Sequence, residues 1–563
     1  MSASPVMERG VAPSGAGNIG RAGAGHPLTG TWRLARAMLR ADRVRLTVWL
    51  AVIVGFIAYV AVAFPAAMGD VAVAERGAVM AEPAAAMMAG PGYGLENYTL
   101  EVMMANEMLG LFAVLVAIMS LQLVTRHTRA EEEAGRTDLV RAAPVGRHAQ
   151  LTAAVVVLIA ANLVVGAGTA GALVIAGLEP ALDSTVFGLA LAAVGVVFGA
   201  LAATTAQLNR SARAASGMAG AALGVAYVLR AVGDASQRGG NWMSWLSPIG
   251  WAQQLRIYVD LRWEPMLLLG GLAVLALGLA YALSARRDVD GALLPERLGR
   301  ARAKAAGRTL AGLTVRLEAP RVLWWGIGLG VFGVLTGSLA GPMADMLADN
   351  PQLAQMMGLT GEAADDFIAE TMSVFLMFFA MAVAAYAVMS TRSLRADEAA
   401  GRSELALAGA VSRYRWLGLP LIVTVAAGIL LLAVSGLGLG AGAAAELGAD
   451  ALGDFTLAAL TYAPLIAGWA AAAALFYGLR GGGGWLWALL GICLVVGMYG
   501  SMLGLPDPVI DAEPFSMVEP MALIRGDAGW ESDSPWWPLV GASAVAVVLA
   551  AGALGAFRRR DAA

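Results

Sequence analysis

Twelve stretches of about twenty apolar residues punctuate the chain, at approximately 45–64, 106–125, 150–177, 186–207, 214–232, 266–284, 323–341, 372–391, 416–440, 455–478, 485–503 and 538–557. A helix rises about 1.5 Å per residue, so roughly 20 residues cross a hydrocarbon core about 30 Å thick. Inside lipid no water satisfies an open backbone, which leaves helices as the only form such runs can take. Composition agrees: 59% of the 563 residues are hydrophobic and 14% charged, against about 45–50% and 25% in soluble domains. The fold class predicted is an all-α polytopic membrane protein with about 12 transmembrane helices.

Placing the N-terminus in the cytoplasm puts 32 of the 38 cations on that side; only Arg76, Arg230, Arg238, Arg256, Arg262 and Arg525 fall outside. Basic residues favour the cytoplasmic face, so both termini are predicted there, in the plasma (inner) membrane. The outer segment 342–371 has Asp345, Asp349, Glu362, Asp365, Asp366 and Glu370 and no cation; it reads as a solvated acidic face. The first 27 residues, rich in Gly, Ala and Pro, have no early apolar core, which argues against a cleavable signal peptide and for a disordered cytoplasmic tail.

The chain repeats itself. Shifting residues 125–147 ("TRHTRAEEEAGRTDLVRAAPVGR") by 266 places them on 391–413, with 12 of 23 positions identical. A shift of 273 then sets Trp263 and Pro265 on Trp536 and Pro538, and Arg286, Arg287 and Asp288 on Arg559, Arg560 and Asp561. Six spans per half give both halves one orientation, hence parallel repeats. The organisation predicted is a tail (1–27), a first six-helix half with an N-terminal interface helix (28–285), a basic cytoplasmic linker (286–322) and a second six-helix half (323–563).

The repeated charged run follows the second span of each half. Glu132 and Arg136 stand four apart with the acid first, as do Glu398 and Arg402, the favourable order for a pair on a helix face. Each run is therefore predicted to be a short charged helix below its span. A glycine inside a helix costs about 1 kcal/mol relative to Ala, yet Gly135 and Gly401 are both kept; close approach of another backbone, or a helix end, accounts for such a residue. A single charged loop would be an ordinary solvated face. Two copies whose neighbours diverge, His127 and Thr128 against Ser393 and Leu394, point to one surface met twice.

Three other features stand out. "LTGTWRLARAMLRADR" (28–43) alternates apolar and arginine residues as an interfacial helix does. Trp242, Trp245, Trp251 and Trp263 in one outer loop fit an aromatic belt. Many of the 26 methionines cluster near the outer ends of the second and eighth spans, either filling gaps or lining an adaptable surface.

Much chemistry is excluded. Lys304 is the only lysine and sits in "RAKAAGRT", without the pattern of a phosphate-binding Walker loop. A lone Cys493 and three histidines give little material for metal or thiol chemistry. No acid or histidine lies deep in a span, where a proton-coupled carrier needs a relay. The chain reads as a transport subunit, not an enzyme, with no cofactor of its own.

The 6+6 arrangement, the basic N-terminal helix, the two Glu-x-x-Gly-Arg runs and an amphipathic outer loop before each sixth span resemble the ABC-2 type exporter permeases. The segments "LSPIGWAQQLRIYVDLRW" and "WWPLVGASAVAVVLAAGALGAFRRRD" bring the chain nearer to the fused polyketide-antibiotic (tetronasin-type) and multidrug permeases of actinobacteria. That resemblance implies a type V exporter-like fold and export of amphipathic or lipophilic antibiotics and drugs. It implies a separate ATPase subunit, two copies per chain, which binds ATP and Mg and docks at Glu131, Glu132, Gly135, Arg136, Asp397, Glu398, Gly401 and Arg402. It also implies a cavity between the halves lined by their second and fifth spans, with Phe112, Met119, Gln122, Tyr227, Phe375, Phe379, Tyr386 and Tyr499 as candidate substrate contacts. The alternatives are a proton-coupled secondary drug antiporter and a permease-like sensor that exports nothing; no nucleic-acid partner is expected.

Overall fold

The computed structural model describes residues 26–81, 83–287, 291, 293–294, 307, 309–349, 362–399, 401–409, 411–479, 484–500, 505–525 and 536–560. Among them every regular element is helical. Eleven helices among the described residues are long and apolar enough to cross a membrane. The eleventh predicted span, 485–503, forms a shorter helix, Gly484–Tyr499, whose 16 residues reach only about 24 Å at 1.5 Å per residue. The chain divides into two compact units, Met1–Arg297 and Leu298–Ala563.

In the first unit the membrane helices are α1 (Thr31–Met80), α3 (Leu100–Glu133), α5 (Ala149–Ile175), α6 (Ala181–Leu208), α7 (Ala212–Ser236) and α9 (Glu264–Arg286). Short helices α2 (Pro83–Met88), α4 (Arg136–Arg141) and α8 (Pro248–Gln253) join them. Helix α6 is the hub, packed on α3, α5, α7 and α9. Lipid tails are as apolar as leucine, so close contact holds such helices together. At the α5–α6 crossing Gly166 and Gly188 face each other so tightly that a Cβ on either would overlap the other's carbonyl. Asn162 on α5 donates to Ser120 Oγ on α3 (2.9 Å), and Thr204 on α6 donates to the Ala276 carbonyl on α9 (2.9 Å).

The basic N-terminal stretch is no separate interface helix. With neither Gly nor Pro between Thr31 and Val54 nothing interrupts it, and it runs straight into the first span as part of α1. Ala35, Met38 and Asp42 form its buried face, while Trp32 is exposed beneath the Arg36 guanidinium, 5.1 Å away.

At the far end of this unit α8 is inserted, its Pro248, Ile249, Gly250, Ala252 and Gln253 buried, while Trp242, Trp245 and Trp263 stay exposed. Gln253 donates to the Ala89 carbonyl (2.8 Å). Arg230, fully buried, donates to the carbonyl of Met87 (3.1 Å) at the end of α2. These bonds close a cap over α3 and α7.

The second unit holds α10 (Leu310–Gly337), α11 (Ala340–Asp349), α12 (Glu362–Ala399), α13 (Arg402–Leu407), α14 (Arg413–Leu447), α15 (Ala451–Leu460), α16 (Ala463–Gly478), α17 (Gly484–Tyr499), α18 (Asp507–Asp511), α19 (Pro520–Arg525) and α20 (Trp536–Arg559). Its tenth span is broken at Thr461–Tyr462, with Pro464 in the first turn of α16, a position that tolerates proline because the first N–H groups are unbonded anyway.

Candidate functional site

The two charged runs fold into the same elbow. In the first unit α3 continues through the charged residues to Glu133, and the chain then turns at Ala134–Gly135 before α4 begins. In the second, α12 runs to Ala399 and α13 begins after Gly401. Gly135 and Gly401 share φ +69°, a left-handed conformation that a side chain disfavours. A Cβ at either would meet nothing within 4 Å. Backbone handedness, not close approach of another chain segment, requires these glycines.

That turn overturns the predicted pairing. Glu132 and Arg136 do not bond, nor do Glu398 and Arg402, because four-residue spacing brings side chains together only along an unbroken helix. Arg136 instead grips Glu131 through Nε (2.6 Å) and Nη2 (2.9 Å). Arg402 grips Asp397 Oδ1 in the same manner, at 3.1 and 2.7 Å. Both arginines remain more than half exposed, at 57% and 59%, so each elbow presents a guanidinium tethered to a carboxylate. The Glu131 carboxylate beside it also raises the Arg136 pKa.

Glu132 and Glu398 turn inward. The Glu132 carboxylate is bonded by Arg129 Nη1 (2.8 Å) and Arg287 Nη2 (2.9 Å). Arg129 is 1% exposed and also donates to the carbonyls of Asn209 (2.5 Å) and Gly291 (2.7 Å). Glu398 pairs with Arg560, which donates to the Tyr477 carbonyl (3.0 Å) and lies over the Tyr477 ring. The 273-residue repeat equates Arg287 with Arg560. Each elbow is thus clamped to the end of the sixth span of its own half. A second bond repeats too: Arg147 donates to the Ala285 carbonyl and Arg413 to that of Arg558. The clamping arginines carried no motif; their only sequence signal was their place in the repeat.

The first elbow has a further brace. Asp42 of α1, fully buried, accepts from His127 Nε2 (2.7 Å) and lies 3.3 Å from Arg126 Nε. Between α1 and this elbow is a cavity of about 210 Å³, lined by Ala37, Met38, Arg126, Glu131, Arg136 and Thr137 among others. Among the described residues no group of three or more His, Cys, Asp or Glu could hold a metal ion.

The candidate substrate contacts divide by exposure. Phe112, Met119, Phe379 and Tyr386 are buried within their units; Phe112 packs on Phe56 (5.8 Å between rings), Phe379 on Phe332 (5.8 Å) and Tyr386 on Trp325 (6.1 Å). Gln122 is exposed, and Phe375 and Tyr227 are partly exposed. Tyr227 lies under the Arg230 guanidinium, 4.7 Å from its centroid. The side chain of Tyr499 lies outside the described residues.

Against known families, residues 28–283 and 308–558 match the model described as the C-terminal domain of the multidrug efflux system permease Rv1217c. The multidrug efflux system permease protein Rv1217c of Mycobacterium tuberculosis is 35% identical over 553 residues, covering 95% of this chain and 96% of that protein.

Proposed function

The chain belongs to the Rv1217c family of multidrug efflux permeases, and we propose that it is the membrane subunit of an ATP-driven exporter of the ABC-2 type. On this reading it moves amphipathic or lipophilic drugs and antibiotics, including polyketides of the tetronasin class, out of the cell. A separate ATPase, two copies per chain, binds ATP and Mg and drives the movement. The permease lies in the plasma membrane with both termini and both elbows on the cytoplasmic side.

The observation that carries this reading is the duplicated elbow. Two loops 266 residues apart share one left-handed glycine, one outward Arg–carboxylate pair and one inward acid clamped to a sixth span. A rigid, exposed pair of like surfaces suits two copies of one soluble partner. Clamping to the ends of the membrane helices lets a push at the surface reach the spans. Gln122, Tyr227 and Phe375 are the cavity candidates with surface to offer a substrate.

The test is to purify the tagged chain from its native membranes in mild detergent and count what accompanies it by mass spectrometry. Two Walker-motif ATPases per chain is the expected result. Arg136→Ala with Arg402→Ala should abolish efflux at unchanged expression. A chain isolated without an ATPase, and efflux abolished by a protonophore at unchanged cellular ATP, would refute the reading in favour of proton coupling.

A further inference from the structure

Helix α20 carries one face from hydrocarbon to charge. Val548, Gly552, Gly555 and Arg559 follow one another at spacings of four, three and four residues, along one side of the helix. Val548 is exposed and meets lipid. Between the last turns of this face and α16 lies a groove of about 660 Å³, open at the surface, with Leu475, Gly552, Gly555, Ala556, Arg559 and Arg560 in its lining. Beside the groove the two helices touch: a Cβ on Gly478 of α16 would stand 3.1 Å from the Ala553 carbonyl.

The first half is built otherwise. At the places 273 residues earlier α9 keeps the arginines, as Arg286 and Arg287, but has Leu279, Ala282 and Leu283 where Gly552, Gly555 and Ala556 stand. Leu275 and Leu279 are both exposed on α9. The same charge therefore ends both faces, and only the second half removes the side chains in front of it.

Charge decides what the groove receives. Arg413, Arg558, Arg559 and Arg560 meet at this end of the unit, Arg413 donating to the carbonyls of Arg558 (2.9 Å) and Arg560 (2.6 Å). Among the described residues a single acid, Glu398, pairs with any of the four, and its partner is Arg560. Asp561, next in the sequence, lies outside the described residues. Arg558 is turned to the Tyr414 hydroxyl (3.2 Å) and ring. Arg559 is exposed and has no hydrogen bond or ion pair among the described residues, and the buried Arg560 Nε has no acceptor. Arginines at the end of a span reach the interface, and basic pockets between spans there bind anionic lipid headgroups.

We propose that this groove holds an anionic phospholipid, with an acyl chain along Gly552 and Gly555 and the phosphate at Arg559. Arg560, in the same lining, clamps Glu398 of the second elbow, so the lipid packs against that clamp. The site does not rest on the exporter reading. Dioleoylphosphatidylglycerol is the probe, titrated against the delipidated full-length chain in detergent and counted by native mass spectrometry. One molecule per chain should bind saturably, and equimolar dioleoylphosphatidylcholine should not displace it. Arg559→Gln should weaken binding about fivefold, the effect of one cation beside an anionic headgroup. Gly552→Leu combined with Gly555→Leu, which fills the groove, should weaken it about tenfold. A Cβ on Gly555 meets nothing within 4 Å and one on Gly552 only Leu475 at 3.6 Å, so there is room for both. Melting midpoints verify folding, and Gly552→Val alone serves if the pair fails to fold. Arg286→Gln, the same charge removed from α9, should leave the affinity unchanged.

Wild-type affinity in Arg559→Gln or in the filled variant would overturn the site. Three other results would do the same. An equal loss in Arg286→Gln would reduce it to general surface charge. Equal binding of phosphatidylcholine would remove the headgroup recognition, and displacement by soluble glycerol phosphate would leave an anion site that no acyl chain enters.

Discussion

Replacing Glu131 and Glu132 one at a time separates two roles that adjacent glutamates hold. Glu132 is 7% exposed, and its carboxylate is shared by Arg129 and Arg287 at 2.8 and 2.9 Å. Glu132→Ala takes the carboxylate from Arg129, 1% exposed, which keeps its bonds to the carbonyls of Asn209 and Gly291. Removing one partner of a buried ion pair costs about 3–5 kcal/mol. The carbonyl bonds remain, so the low end applies, roughly a hundredfold in the folded ratio. Glu132→Gln, which keeps an acceptor, should cost less. Glu131 pairs with an exposed arginine, where solvent screens the interaction, and Glu131→Ala should leave the melting midpoint of the detergent-solubilised chain unchanged. Its effect should appear instead as lost efflux. If Glu132→Ala melts with the wild type, or Glu131→Ala melts as far below it as Glu132→Ala, the assignment of inward clamp and outward pair is wrong.

Gly135→Ala and Gly401→Ala should each destabilise by about 1–2 kcal/mol, the cost of a left-handed residue with a side chain, and Asn at either position should cost less; melting curves decide. Gly188→Ala should lower the melting point because its Cβ overlaps the Gly166 carbonyl, a strain of about 1–3 kcal/mol, whereas Gly171→Ala on the same helix pair meets open space and should be neutral. Asp42→Ala removes the acid shared by His127 and Arg126; the N-terminal turns of α1 should then be cut by trypsin at Arg36 and Arg40 several times faster, and unchanged cleavage would show that Asp42 does not anchor them.

The spans were legible because lipid permits a long apolar run one backbone form. The eleventh fell short: apolar length sets an upper bound on a helix, and the described helix stops at Tyr499. Which face of each span looks inward was not legible, since helices apolar all round have almost no moment to read. The packing of the cavity candidates Phe112 and Tyr386 against Phe56 and Trp325 was likewise not readable from the sequence. The elbows were half legible. Their duplication and their glycines were plain, but the four-residue rule assumes a continuous helix, and Gly135 and Gly401 end it. The Glu132–Arg287 bond spans 155 residues, a separation at which no local pattern speaks.

What the halves keep and what they change bears on why the elbows exist. Beneath the first, Asp42 bonds His127; the second has Ser393 in place of His127, and the acid on its first helix, Glu318, pairs with Arg321 and receives the Tyr386 hydroxyl (3.4 Å) instead. The supports diverged while φ at the glycine, the outward pair and the inward clamp stayed alike, even where Glu131 is shortened to Asp397. A merely structural loop would have been free to exchange its pair along with its supports. Reversing the pair separates shape from surface: Glu131→Arg combined with Arg136→Glu restores an ion pair across the same turn, but inverts the charges presented outward. If the pair serves only to hold the elbow, the reversed chain should export at the wild-type rate. If the elbow is a contact for a partner, the reversal should fold with an unchanged melting midpoint and yet lose most efflux, because like charges placed across an interface repel.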